Sequence, residues 1–243
     1  MKNWWIGFAA VVALGAVLFL SDRKVENPSG IELIRSPNDY ANANNKAATL
    51  AYEIFQRAYS DGEVTSADKD RLREAVKYFE AMNVFDPSKV RGFFGAGKCY
   101  MLLEDKVRAS ERLEQAVLNK RIDKDKGTSE VELTAFESAA LLSEVTLDLA
   151  AEEIANFNSL SQANDMTGAE AAKKRSQIYY DKAMEFSTMA VEGVPKSARY
   201  LVDRANVYLA LKKVDLAKLD ITKAKTLNPD DIRVKMAAKM VGL

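Results

Sequence analysis

The 243-residue chain has no histidine, a single cysteine, five prolines and no excess of either charge, with 35 Lys+Arg against 35 Asp+Glu. Without histidine, Ser-His-Asp and Cys-His mechanisms and the common zinc sites are excluded. A lone Cys99 excludes an intrachain disulfide and a cysteine metal cluster, though it does not fix the redox compartment. Balanced charge leaves no basic field for nucleic acid. Gly92, Gly95 and Gly97 sit inside a helical pattern without the lysine-serine ending of a phosphate loop. No catalytic, cofactor-binding or metal-binding residue is therefore expected, and no small-molecule substrate. The content of 48% hydrophobic and 29% charged residues is that of a globular chain.

The hydrophobicity is unevenly distributed. Trp4 to Leu20 read WWIGFAAVVALGAVLFL, without a charge. As a helix this run would measure roughly 26 Å, close to the ~30 Å hydrocarbon thickness of a bilayer. Trp4 and Trp5 stand at one end, as an interfacial belt requires. A cleaved signal peptide is the competing reading, but no small-residue cleavage element follows, and Ser21-Asp22-Arg23-Lys24 is charged where such a site is neutral. Residues 1–21 are read as a single-pass membrane anchor. Lys2 and the α-amine on one side nearly balance Arg23 and Lys24 on the other, so charge does not fix orientation. The signal-anchor form favours a C-terminal domain outside the cytoplasm. Ala9 and Ala13 are spaced for close helix contact, which leaves homo-oligomerisation open. Residues 22–45, with Pro28, Gly30, Pro37 and an Asn-rich run, read as a juxtamembrane linker.

From about Lys46 to the C-terminus the pattern is helical almost throughout. Phe93, Gly97, Tyr100, Ala109, Leu113 and Ala116 recur 108 residues later as Leu201, Ala205, Tyr208, Ala217, Ile221 and Ala224. Pro87 recurs as Pro195, with Pro229 another 34 residues on, and Ala75 and Phe79 precede Ala109 and Leu113 by the same 34. Stacked helix hairpins explain that period: small residues let two helices approach, aromatics fill the gaps, and proline ends each unit.

On these residues the chain resembles the tetratricopeptide repeat family over most of 46–243. Leu201 stands in place of an aromatic, Arg204 at an apolar position, and Arg121 where a closing proline belongs. The resemblance implies an all-α, right-handed solenoid of antiparallel helix hairpins, with repeats at about 46–89, 90–123, 124–197 (enlarged) and 198–231, then a capping helix at 232–240. In the enlarged unit, 130–156 and 169–192 run without Gly or Pro, and 158–168 reads as a solvated connecting loop.

Two motifs are set aside. Asp61-Gly62-Glu63-Val64-Thr65 lacks the earlier acidic positions of a calcium loop and reads as a turn before a Thr65/Ser66 helix cap, with Asp68 in the first turn. Asp123 to Gly127 reads as a charged turn, and Cys99 as a small buried thiol.

The first helix of each repeat carries a second stripe beside its core face: Arg91, Phe94, Lys98 and Met101; Thr134, Glu137, Leu141 and Glu144; Arg199, Val202, Asn206 and Leu209. The family resemblance implies that this face lines a concave groove holding a peptide or partner helix. The partner-binding candidates are therefore Arg91, Phe94, Lys98, Met101, Glu137, Leu141, Arg199, Val202, Asn206 and Leu209. Phe94 and Met101 would serve equally well packed against the preceding repeat. Glu137 and Glu144 interrupt the basic surface that a carboxylate clamp needs. The expected function is a membrane-anchored protein-interaction scaffold, held at the bilayer by residues 4–20. A chaperone-like accessory of secretion or envelope assembly is one alternative, and a regulatory subunit or atypical enzyme a second.

Overall fold

Three hairpins of the stack turn on one residue in the left-handed region. Glu104 (φ 63°), Asn164 (φ 60°) and Lys212 (φ 59°) are the middle residues of three-residue connections. In each, the residue after it donates back to a carbonyl five positions earlier: Asp105 N to Tyr100 O (2.9 Å), Asp165 N to Leu160 O (2.9 Å) and Lys213 N to Tyr208 O (2.8 Å). This closure satisfies carbonyls that a helix end would otherwise leave open.

The computed structural model describes residues 34–60 and 63–243. Their elements are α1 (Pro37–Ser60), α2 (Ser66–Phe85), α3 (Val90–Leu102), α4 (Lys106–Asn119), α5 (Ser129–Gln162), α6 (Met166–Gly193), α7 (Ala198–Ala210), α8 (Val214–Leu227) and α9 (Ile232–Met240). Among the described residues there is no strand. The helices pair as α1/α2, α3/α4, α5/α6 and α7/α8. First helices of successive pairs also touch, α1 on α3, α3 on α5, α5 on α7, and α7 on α9. This is a tetratricopeptide-like stack. Among the described residues no helix is long and apolar enough to cross a membrane. The anchor expected at residues 1–21, with Ala9 and Ala13, lies outside them, as do the first part of the linker and Asp61-Gly62.

Two boundaries differ from expectation. Helix begins at Pro37, inside the expected 22–45 linker. Ser36 and Asp39 cap it reciprocally: the Asp39 amide donates to Ser36 Oγ (3.2 Å) and the Arg35 amide to the Asp39 carboxylate (3.0 Å). Proline at the first helical position costs nothing there. Ala43, Ala47, Ala51 and Ile54 then form a buried stripe through the Asn-rich run. The second correction concerns 158–168. It is helix except for Ala163, Asn164 and Asp165, so α5 and α6 run 34 and 28 residues. Packing overrides the weak propensity of Asn and Ser: Ile154, Phe157 and Leu160 are half-buried, while Ala169 and Ala172 opposite are fully covered. The enlarged unit is thus the same hairpin drawn out, with α5 spanning about 51 Å.

The core follows the repeat. Gly97, itself buried, brings α3 against the fully buried Leu113 of α4, and their counterparts Ala205 of α7 and Ile221 of α8 are also fully buried. Arg204, out of pattern in the sequence, is held by Asp220 of α8 through two hydrogen bonds of 2.7 Å. An ion pair replaces apolar contact there. Thr65 caps α2 in a reciprocal arrangement with Asp68, which also pairs with Arg57. Asp123, within the expected charged turn, is almost wholly buried and accepts the Val90 amide at 3.0 Å, so it caps α3 across the sequence. Cys99 is buried, and that burial pushes its thiol up to about 12.

Candidate functional site

Stacking first helices side by side brings their second stripes to one surface. There the stripes of α3 and α7, the end of α1 and one face of α9 enclose an open cleft of about 470 Å³. Lys98 and Met101 of α3 line it, with Glu144 of α5 and Arg199, Val202 and Asn206 of α7. These side chains come together because residues at i, i+3 and i+7 share a helix face.

The other candidates lie elsewhere. Arg91 is exposed and pairs with Glu130; it borders a separate cleft near Tyr40 and Asp125. Phe94 and Leu209 are half-buried and pack against the core. Leu141 is fully buried, so no partner can reach it; the long α5 is covered along that face by its neighbours. Glu137 lies beneath the cleft as a partner of Arg199, not on its lining.

Two parts of the lining were not expected. Phe55 and Ala58 come from α1. Arg233, Met236 and Met240 come from α9, which the sequence pattern marks only as a cap. These three repeat the stripe of α7: Arg199, Val202 and Asn206 recur 34 residues later as Arg233, Met236 and Met240. That signal was present in the sequence. Helix α9 occupies the position of a further first helix, and its second stripe faces the cleft. Met236 and Met240 are 62% and 71% exposed, an adaptable apolar wall.

The floor is built on Arg199. Its guanidinium donates to Glu137 at 2.8 Å and lies 3.6 Å from Glu144 and 3.7 Å from Asp203. The Tyr200 hydroxyl donates to the second Glu137 oxygen at 2.8 Å. Burial acts to raise the Glu137 carboxyl, but Arg199, Tyr200 and Lys98 outweigh it and hold it below the ordinary range. Glu144 and Asp203 go the other way. Burial raises both, and each is raised further by neighbouring carboxylates that Arg199 does not fully offset. Lys98 reaches over the rings of Phe55 (4.5 Å to the centroid) and Phe94 (5.2 Å), and its burial lowers the ammonium from its usual value. The surface therefore offers apolar anchors beside a dense array of charges.

No family model matches the chain, and no curated protein is similar to it. Among solved structures it is similar to YrrB, described as a TPR protein with an unusual peptide-binding site: 15% identity, 84% of this chain, 92% of that chain and a TM-score of 0.28. MamA from Desulfovibrio magneticus RS-1 is 16% identical, with 76% and 97% coverage and a TM-score of 0.27. The Cut9–Hcn1 hetero-tetramer of the APC/C is 16% identical over 96% of this chain and 52% of that one, with a TM-score of 0.25.

Proposed function

We propose that this chain is a membrane-anchored scaffold that binds a peptide or helix of a partner protein in the cleft between α3, α7 and α9. One observation carries the reading: separate first helices deliver matching stripes to a single cleft with exposed methionines and a charged floor. Apolar anchors beside paired charges are what a protein interface uses for affinity and register. The chain acts by occupancy, without a chemical step. Residues 4–20 hold it in the bilayer as a single pass, with the helical domain outside the cytoplasm.

The test is crosslinking in native membranes, with identification of the captured proteins, for the wild type and a Met101→Asp/Met236→Asp variant. A charge on each wall should remove the specific partner while circular dichroism stays unchanged. Retention of the same partners by a folded double variant refutes the cleft as the binding surface. Release of the chain by salt wash alone refutes the anchor.

A further inference from the structure

Behind the apolar wall the cleft opens into a second recess of about 420 Å³, and the two share Met101, Glu144, Asp203 and Asn206. This recess lies between the α3–α4 turn, α5 and α7. Its lining carries four carboxylates, Glu104, Glu144, Asp148 and Asp203, and one cation, Lys106. Lys106 is already engaged, 3.4 Å from Asp148 and 2.6 Å from Glu152. Glu104 lies at the rim against Lys69 (3.3 Å).

Two of the residues that line the recess carry a buried side-chain oxygen with no hydrogen bond within the protein. Asp203 Oδ2 is one; the residue is 7% exposed, and its nearest cationic group is Arg199 at 3.7 Å. Ser143 Oγ is the other, on a residue only 1% exposed. Leaving such groups without a partner is costly in a folded protein, and a binding site is one reason to tolerate it. Ser143 is neutral, so its orphan hydroxyl is independent of the acidic crowding around Asp203.

We propose that this recess takes the ammonium or guanidinium of a Lys or Arg side chain carried by the partner peptide, whose apolar neighbours pack on Met101, Met236 and Met240. The inference rests on the cleft reading and supplies the partner's chemistry. An ammonium brings three donors, matching in kind Ser143 Oγ, Asp203 Oδ2 and the Glu144 carboxylate. An anionic residue would face four carboxylates. A metal ion fits less well, because among the described residues no three acidic side chains are gathered to hold one. The aliphatic stem of Lys or Arg would cross the shared Met101 boundary, where apolar contact suits it.

The experiment selects random dodecapeptides displayed on phage against the full chain in detergent micelles, and in parallel against Asp203→Asn and Ser143→Ala. Wild-type selection should yield sequences with one Lys or Arg beside apolar residues. Replacing that residue by norleucine should weaken binding about tenfold, as losing charge-assisted hydrogen bonds implies. Both variants, with helicity unchanged, should shrink that preference. Selected peptides without basic enrichment, or a preference unaltered in both folded variants, overturn the proposal while leaving the cleft reading intact. No selection above background overturns both. Stabilisation by spermidine with no basic peptides selected assigns the recess to small amines and also overturns it.

Discussion

Gly97 sets the approach of α3 to α4, and adding one carbon there tests the packing that defines each hairpin. A Cβ on Gly97 would lie 2.7 Å from Leu113 Cγ and 2.8 Å from its Cδ2, with the Leu113 backbone nitrogen at 3.2 Å. Ordinary carbon–carbon contact is about 3.5–4.0 Å, so the methyl arrives roughly 1 Å too close. Leu113 is fully buried, and close packing leaves a buried side chain little room to shift. Overpacking of this kind costs about 1–3 kcal/mol. Exchanging Gly for Ala in a helix returns about 0.8–1 kcal/mol. Gly97→Ala should therefore destabilise by about 1 kcal/mol, a fall in Tm of roughly 2–4 °C for a domain this size. The sharper test is the cycle with Leu113→Ala, which itself costs about 2–5 kcal/mol. With the isopropyl group gone the two shortest contacts disappear and only the 3.2 Å approach to the backbone nitrogen remains, so Gly97→Ala should lose most of its cost and become stabilising by up to about 0.8–1 kcal/mol. Urea unfolding followed at 222 nm gives all four stabilities. An equal effect of Gly97→Ala in both backgrounds would refute the close-approach argument.

Other perturbations address the turns, caps and floor. Lys212→Gly should stabilise by about 0.5–1 kcal/mol, because glycine relieves the left-handed backbone at the α7–α8 turn; urea midpoints measure it. Thr65→Ala should cost about 1 kcal/mol through loss of the α2 cap. The Thr65 hydroxyl, then the Thr65 amide and Arg57, hold the Asp68 carboxyl at about 2, so its contribution is present above the ordinary carboxylate range and lost as pH falls towards 2. Acid titration of Thr65→Ala should show a weaker dependence in that window. Asp203 has the opposite sign: burial and then Glu144 raise its carboxyl, so the native state prefers the proton and stability falls as pH rises above the ordinary range. Asp203→Asn should be more stable than the wild type at neutral pH, with the advantage vanishing in acid. A pH-independent difference would contradict that assignment.

The hairpins were legible because their causes are local and repeated. Small residues where helices cross, aromatics between them and prolines at the exits recur at offsets of 34 or 108 residues, and α7 and α9 begin 34 residues apart. The start of α1 was hidden by composition: asparagines suggested a linker, while the alanines buried at 43, 47 and 51 were the informative signal. The polarity of 158–168 reads as a loop in the sequence because it is the exposed face of a two-helix projection with only one partner per helix. At the cleft, the stripe on α3 and α7 is readable in the sequence, and its continuation at Arg233, Met236 and Met240 lies on a short terminal helix that reads as a cap. Asp203 and Ser143 could not have been singled out. A polar residue on a helix looks solvated in sequence, and these two are buried only within the packed stack.

The central claim is that the surface joining α3, α7 and α9 holds a protein partner. A photoactivatable residue placed at Asn206, exposed on the cleft, and separately at Leu118, 56% exposed on α4, tests it most directly in native membranes. The account predicts a discrete protein adduct from position 206, lost in Met101→Asp/Met236→Asp, and none from 118. The same adduct from both positions, or from 118 alone, would contradict it.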